Sequence, residues 1–137
     1  MTTGTRRRLR RISLASQAEA LPLVKAASTR MQPGQVLVAC LDRRRLLIEL
    51  IPVAADDDEL PALAEILARA PKDVRALVVV TLRPNVVPAD RPEDEPRWEA
   101  MQTALAGSHV TLLDWFVICG ERWAWSVAEH AHTPARW

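Results

Sequence analysis

Apolar residues recur in two rhythms along this chain, and the switches between them mark out the elements. Leu14, Ala18, Leu21, Val24, Lys25 and Met31 follow helical spacing. Ser13 or Ser16 can cap that helix, Pro22 predicts a kink or restart, and Gln32-Pro33-Gly34 ends it. Two compact apolar runs come next, Val36 to Leu41 and Leu46 to Val53, separated by the polar stretch Asp42-Arg43-Arg44-Arg45. They read as a β-hairpin. Val36, Val38 and Cys40 alternate with Leu37, Ala39 and Leu41, so both faces of the first strand are apolar. Such a strand belongs in a sheet covered by helices on both sides.

Asp56-Asp57-Asp58-Glu59 predicts a helix start, because acids offset the partial positive charge there and accept its N–H groups. The helix is expected to run to about Ala70 with Leu60, Leu63, Ile66 and Leu67 as its buried stripe, and Pro71-Lys72-Asp73 breaks it. Arg75 to Leu82 contains Ala76-Leu77-Val78-Val79-Val80, a central-strand signal. A Pro-rich loop spans Arg83 to Pro92. A helix from about Asp94 to Ala106 places Trp98, Met101 and Leu105 on one face, and Gly107 suits its C′ position. Val110 to Cys119 and Arg122 to Val127, joined at Gly120-Glu121, predict a second hairpin.

The order α-β-β-α-β-α-β-β implies an α/β (α+β) mixed sheet in a three-layer helix/sheet/helix sandwich. The expected boundaries are a basic, flexible arm over 1–12, one domain over 13–128 and a tail over 129–137. The 137 residues suffice for a single core.

Charge refines this picture. Residues 6–11 hold five arginines (Arg6, Arg7, Arg8, Arg10, Arg11) and no acid. Setting those aside leaves 13 of the 18 basic residues against 17 acidic ones, so the body is mildly acidic. The arm can bind nucleic acid or acidic lipid, or simply be solvated. Arg43-Arg44-Arg45, with Arg83 and Arg91, can form a phosphate-binding surface or a solvated turn. No apolar run reaches membrane-spanning length, and the Arg-rich N-terminus lacks the apolar core of a secretory signal. No membrane partner is expected, and a cytoplasmic protein is the simplest reading.

The remaining candidates have structural explanations. Cys40 and Cys119 fall on expected strands and read as buried thiols. Asp56-Asp57-Asp58 lacks the glycine and spaced oxygens of a Ca²⁺ loop, and four scattered glycines exclude a phosphate-cradling loop. His109 precedes a strand, while His130 and His132 lie in the tail. Of the five tryptophans, Trp98 and Trp115 are expected in the core. Trp123 and Trp125 share one strand face, where they cover a helix or form an exposed patch for a partner.

From Ala76-Leu77-Val78-Val79-Val80 through Thr81-Leu82-Arg83-Pro84, Pro88 and Arg91 to Asp94, the chain resembles the JAB/MPN (JAMM-type) domain of RadC-like bacterial proteins. That family carries His-x-His, seven residues, then Ser-x-x-Asp. In this register the two His positions fall on Thr81 and Arg83, the Ser position on Arg91 and the Asp position on Asp94. Leu112-Leu113-Asp114-Trp115 resembles the family's Leu-Leu-Asp-His strand, and Trp123-Ala124-Trp125-Ser126 its last strand. The likeness covers roughly residues 33–128 and implies a JAB/MPN-like (cytidine-deaminase-like) core.

It also implies a lost activity. Family members hold zinc with two His and one Asp, and a Glu takes a proton from the zinc-bound water. Thr81 is a weak neutral ligand, and Arg83 is cationic with no lone pair to give. Thr81, Arg83 and Asp94 are thus vestigial ligand positions, no catalytic residue is assigned, and no metal or other cofactor is expected. Glu49 or Glu59 can be a vestigial general base, though an exposed strand edge for Glu49 and a helix N-terminus for Glu59 explain them better. Arg83 is expected to pair with Asp94 where the metal would lie. The resulting expectation is a non-catalytic pseudoenzyme, a protein-interaction or structural module that binds an unknown partner or itself. Arg83, Arg91, Trp123 and Trp125 are its candidate interaction residues. The alternatives are a nucleic-acid-associated RadC-like accessory protein using the arm, and a metal-dependent hydrolase with displaced ligands.

Overall fold

Valine-rich β3 (Ala76–Arg83) forms the middle of the sheet, with seven of its eight residues buried. The computed structural model describes residues 12–83, 92–119, 123–131 and 135–137, and of Trp123 the backbone alone. The expectations for Pro84, Pro88, Arg91, the Gly120-Glu121 turn, His132 and the arm arginines lie outside the described residues. The other elements are α1 (Gln17–Ser28), β1 (Gln35–Leu41), β2 (Leu47–Ala54), a 3-10 turn (Asp57–Glu59), α2 (Leu60–Leu67), α3 (Asp94–Leu105), β4 (Thr111–Cys119), β5 (Trp123–Ser126) and α4 (Val127–His130).

The five strands order as β2-β1-β3-β4-β5. β1 is antiparallel to both β2 and β3, β3 is parallel to β4, and β4 is antiparallel to β5. The sheet is therefore mixed, and side-chain alternation divides the core in two. Leu77, Val79, Trp115 and Val117 pack under α2, α3 and α4 with Leu60, Ala64, Trp98, Met101 and Val127. Ala76, Val78, Val80, Phe116 and Ile118 face the other way, against Ala20 and Val24 of α1. One residue interrupts the alternation. Leu77 pairs with Leu112 and Val78 with Asp114, so Leu113 is an inserted bulge residue. Leu113 consequently packs on the α1 side.

The helices differ from their expected limits for local reasons. Ser16 is the cap of α1, accepting a hydrogen bond from the Glu19 N–H. The helix continues through Pro22, which is exposed, as is Ala18, whose carbonyl would have taken the missing N–H. Its buried residues are Ala20, Val24 and Ser28, so Ala18 and Lys25 are not on the core stripe. The helix expected over 56–70 is shorter. Asp56 and Glu59 form a reciprocal capping box around the 3-10 turn, and α2 proper begins at Leu60. Ile66 leaves the stripe because it sits about 200° around the helix from buried Ala64, and it is 69% exposed. Gly107 follows α3 with φ of 80°, the left-handed C′ position its sequence suggests.

Both flanking segments are tied to the sheet. Leu47 donates to the Ile12 carbonyl and Leu14 to the Arg45 carbonyl, each at 2.8 Å. Pairing thus begins at Ile12, inside the stretch expected to be a flexible arm. At the other end, expected to be an irregular tail, Ser126 caps α4 and Arg136 N–H donates to the Leu113 carbonyl at 3.1 Å. No helix among the described residues is long and apolar enough to cross a membrane.

Central strands lose their amide protons only when the sheet opens, whereas edges fray. Amide exchange is therefore expected to be slowest in β3 and β4 and faster in edge strand β2. Equal protection of β2 and β3 by exchange mass spectrometry would contradict this layout.

Candidate functional site

Strand alternation puts Thr81 and Arg83 on one face of β3, the face covered by α3. Asp94 opens α3, where a carboxylate suits the positive end of the helix. The two elements meet there. Arg83 Nη1 donates to Asp94 Oδ2 at 2.8 Å and Nη2 donates to Asp94 Oδ1 at 2.6 Å, a two-pronged pair. The same guanidinium turns its Nε and Nη2 to Asp57 Oδ2, at 3.0 and 2.7 Å. Arg83 is 6% exposed and Asp94 is fully buried.

Neighbouring groups complete the cluster. Arg97, one turn into α3, pairs with Asp58 and lies 3.6 Å from Asp94 Oδ1. Three carboxylates thus face two guanidiniums. Beneath them, Trp115 Nε1 donates to Thr81 Oγ1 at 2.9 Å. The Arg83 guanidinium carbon stands 5.8 Å from the centre of the Trp115 ring, within cation–π range. Burial works against the charged form of Arg83, but its hydrogen bonds to Asp94 and Asp57 outweigh this and raise its pKa. A polar cleft of about 330 Å³ opens beside the cluster, between Gly34, Asp56, Asp57, Asp58, Thr81 and Arg97.

Zinc does not fit this arrangement. A catalytic zinc site needs three lone-pair donors and an open position. Thr81 Oγ1 is taken by an indole, Asp94 is bridged on both oxygens by a cation, and Arg83 has no lone pair. Among the described residues, no group of three His, Cys, Asp or Glu side chains is arranged to hold a metal.

The other sequence candidates scatter. Glu49 pairs with Cys40, which pairs with Leu77. That register puts Glu49 level with a residue four positions below Thr81, about 13 Å along the strand. Glu49 is therefore not a base for this site. Glu59 is occupied too, its Oε1 accepting the Asp56 N–H at 2.9 Å. Arg83, a candidate interaction residue, is closed off by its ion pairs, and it contributes nothing to a surface with Arg43-Arg44-Arg45. Trp125 stacks on His130 of α4 at 4.0 Å between ring centres, so it covers a helix. His109 Nε2 lies 3.1 Å from the Pro71 carbonyl. Cys40 and Cys119 are buried free thiols. Burial, then Glu49 and Asp73, push the Cys40 thiol up to about 12, so it stays protonated.

Sequence reasoning missed Asp57, Asp58 and Arg97 as members of the cluster. The signal was the acid run itself: helix capping uses Asp56 and Glu59, which left two acids without a role.

A second buried acid lies on the opposite face. Asp114 is fully buried, and its carboxylate accepts from Trp115 N–H at 2.8 Å, Ser126 Oγ at 2.8 Å, Trp137 Nε1 at 3.1 Å and Gln17 Nε2 at 3.3 Å. Burial raises its pKa, partly countered by those hydrogen bonds. The group joins α1, β4, β5 and the last residue.

Removing the Arg83 charge while leaving two carboxylates behind is expected to cost about 3–5 kcal/mol. Arg83→Met should show that loss in urea denaturation, and adding Asp94→Leu should recover part of it. A single variant within about 1 kcal/mol of wild type would refute the pairing's role. Asp114 gives a pH effect of defined sign. With a raised folded-state pKa, its stability contribution is fully present below the unfolded value of about 3.9 and is lost as pH rises through the folded value. Asp114→Asn abolishes that dependence, so its denaturation midpoint should gain on wild type as pH rises above about 4. Parallel pH profiles would sink the assignment.

No family model, no curated protein and no solved structure matches the chain.

Proposed function

We propose that this chain is a catalytically silent JAB/MPN-like module whose role is protein interaction or self-association. One observation carries the reading: the Arg83 guanidinium sits between Asp94 and Asp57, with both Asp94 oxygens engaged. The resemblance places two ligand positions on Thr81 and Arg83 and a third on Asp94. That register requires the three to converge, and Arg83 does touch Asp94 across 11 residues of sequence. The helix–sheet–helix layering and the mixed sheet are compatible with the same relationship.

The chemistry favours silence over a displaced site. A fixed cation neutralises the carboxylate that a metal would need, and divalent ions are repelled from an already charged position.

Restoring the ligands tests the relationship. Thr81→His with Arg83→His should create a His-His-Asp set with Asp94 and bind one Co²⁺ per chain with the intense visible bands of tetrahedral coordination. A folded double variant that takes up no metal would remove the basis for the family reading. For the wild type, elemental analysis should find no stoichiometric zinc. Hydrolytic activity that disappears on chelation would overturn catalytic silence, and light scattering across a concentration series distinguishes self-association from reliance on another protein.

A further inference from the structure

Charge is separated along the strand axis of this molecule. At the end where β2 finishes and α3 begins lie Asp56, Asp57, Asp58, Glu59, Glu93, Asp94 and Glu95; of the described cations near it, Arg83 and Arg97 are held in ion pairs and Arg30 stands in the turn before β1. The opposite end is basic. Arg75 N–H donates to the Leu41 carbonyl at 2.8 Å, which brings the α2–β3 loop beside the β1–β2 turn. Together they carry Arg43, Arg44, Arg45, Lys72 and Arg75 against Asp42 and Asp73. Arg43, Arg44, Lys72 and Arg75 line a cleft of about 450 Å³, with Asp42, Asp73 and Leu46 completing its wall. The acid Asp42 is turned inward on the hairpin, its Oδ1 accepting the Arg44 and Leu46 N–H groups at 2.8 and 3.1 Å.

Ile12 and Leu14, at the start of the described residues, pair with Leu47 and Arg45 at this same end.

We propose that this end of the molecule binds the phosphate backbone of a double-stranded nucleic acid without reading its sequence. Guanidinium groups present paired donors that match phosphate oxygens. Among the described residues no aromatic side chain lines the cleft, so it offers no stacking platform for unpaired bases. Leu46 is its one apolar lining residue, and the exposed large apolar residues among those described are Ile12 and Ile66, too few and too separate to insert into a lipid surface. The acidic end, a strand length away, repels the same polyanion and orients the encounter. This surface does not depend on the JAB/MPN relationship.

The test is fluorescence anisotropy of the full chain with two short labelled duplexes of unrelated sequence, from about 50 to about 200 mM salt. Both duplexes should bind alike, with affinity falling steeply as salt rises. Combining Arg43→Gln, Arg44→Gln, Lys72→Gln and Arg75→Gln should lower the slope of log affinity against log salt by about 3 to 4, or about 0.9 for each phosphate no longer neutralised. Lys25→Gln with Arg30→Gln, on and just after α1, should leave the slope unchanged. If the fourfold variant does not fold, Arg44→Gln and Lys72→Gln singly should each lower the slope by about one. No binding at low salt, an unchanged slope in the basic-end variants, preference for single strands, or tighter binding to phosphatidylserine vesicles would each overturn the proposal.

Discussion

Because β3 and β4 run parallel, the chain must travel from the C-terminal end of one strand back to the N-terminal end of the other. α3 makes that return across the sheet face, with Trp98, Met101 and Leu105 buried against it. A crossover of this kind sets the first turn of its helix near the end of the strand it left. Arg83 is the last residue of β3 and Asp94 the first of α3. Their pairing therefore follows from topology once both residue types are present, and Asp57 reaches the same place because β2 ends on that side of the sheet.

The cluster is costly to build and firmly held. Arg83 and Asp94 leave water almost completely while Asp58 stays exposed, so the desolvation cost falls mainly on that pair, and the two-pronged contact with the added Asp57 bond offsets it. Arg83 stacks near Trp115, whose own N–H is satisfied by Thr81, so the ions rest on a fixed floor. Such an arrangement contributes more to a unique geometry than to total stability. It locks α3, the 3-10 turn and the central strand into one relative position.

Much of this was legible in sequence. The run Ala76 to Val80 specified a central strand because few environments other than a doubly covered sheet accept five consecutive apolar, mostly β-branched residues. The Arg83–Asp94 contact was expected only through the family resemblance, since nothing local joins a strand-end cation to an acid 11 residues on. Asp57, Asp58 and Arg97 could not be anticipated, since acids before a helix look like caps until geometry shows which of them are used. Ile66 misled for a related reason: a short helix has too few turns for its apolar face to be fixed by periodicity alone. Asp114 was read only as part of a phrase, because nothing local distinguishes a buried strand carboxylate from an exposed one.

The inserted residue in β4 bears on how such a chain can change length. Leu113 and Asp114 face the same way because one position there has no counterpart in β3. Losing either residue would regularise the ladder and keep Trp115, Val117 and Cys119 on their present side. A codon lost within Val78 to Thr81 would instead turn every residue between the gap and Arg83 to the other face. β4 thus holds one residue of slack: drawing in Leu113 would give up a core side chain, drawing in Asp114 the polar group gathered on it, and neither would give up the register of the sheet.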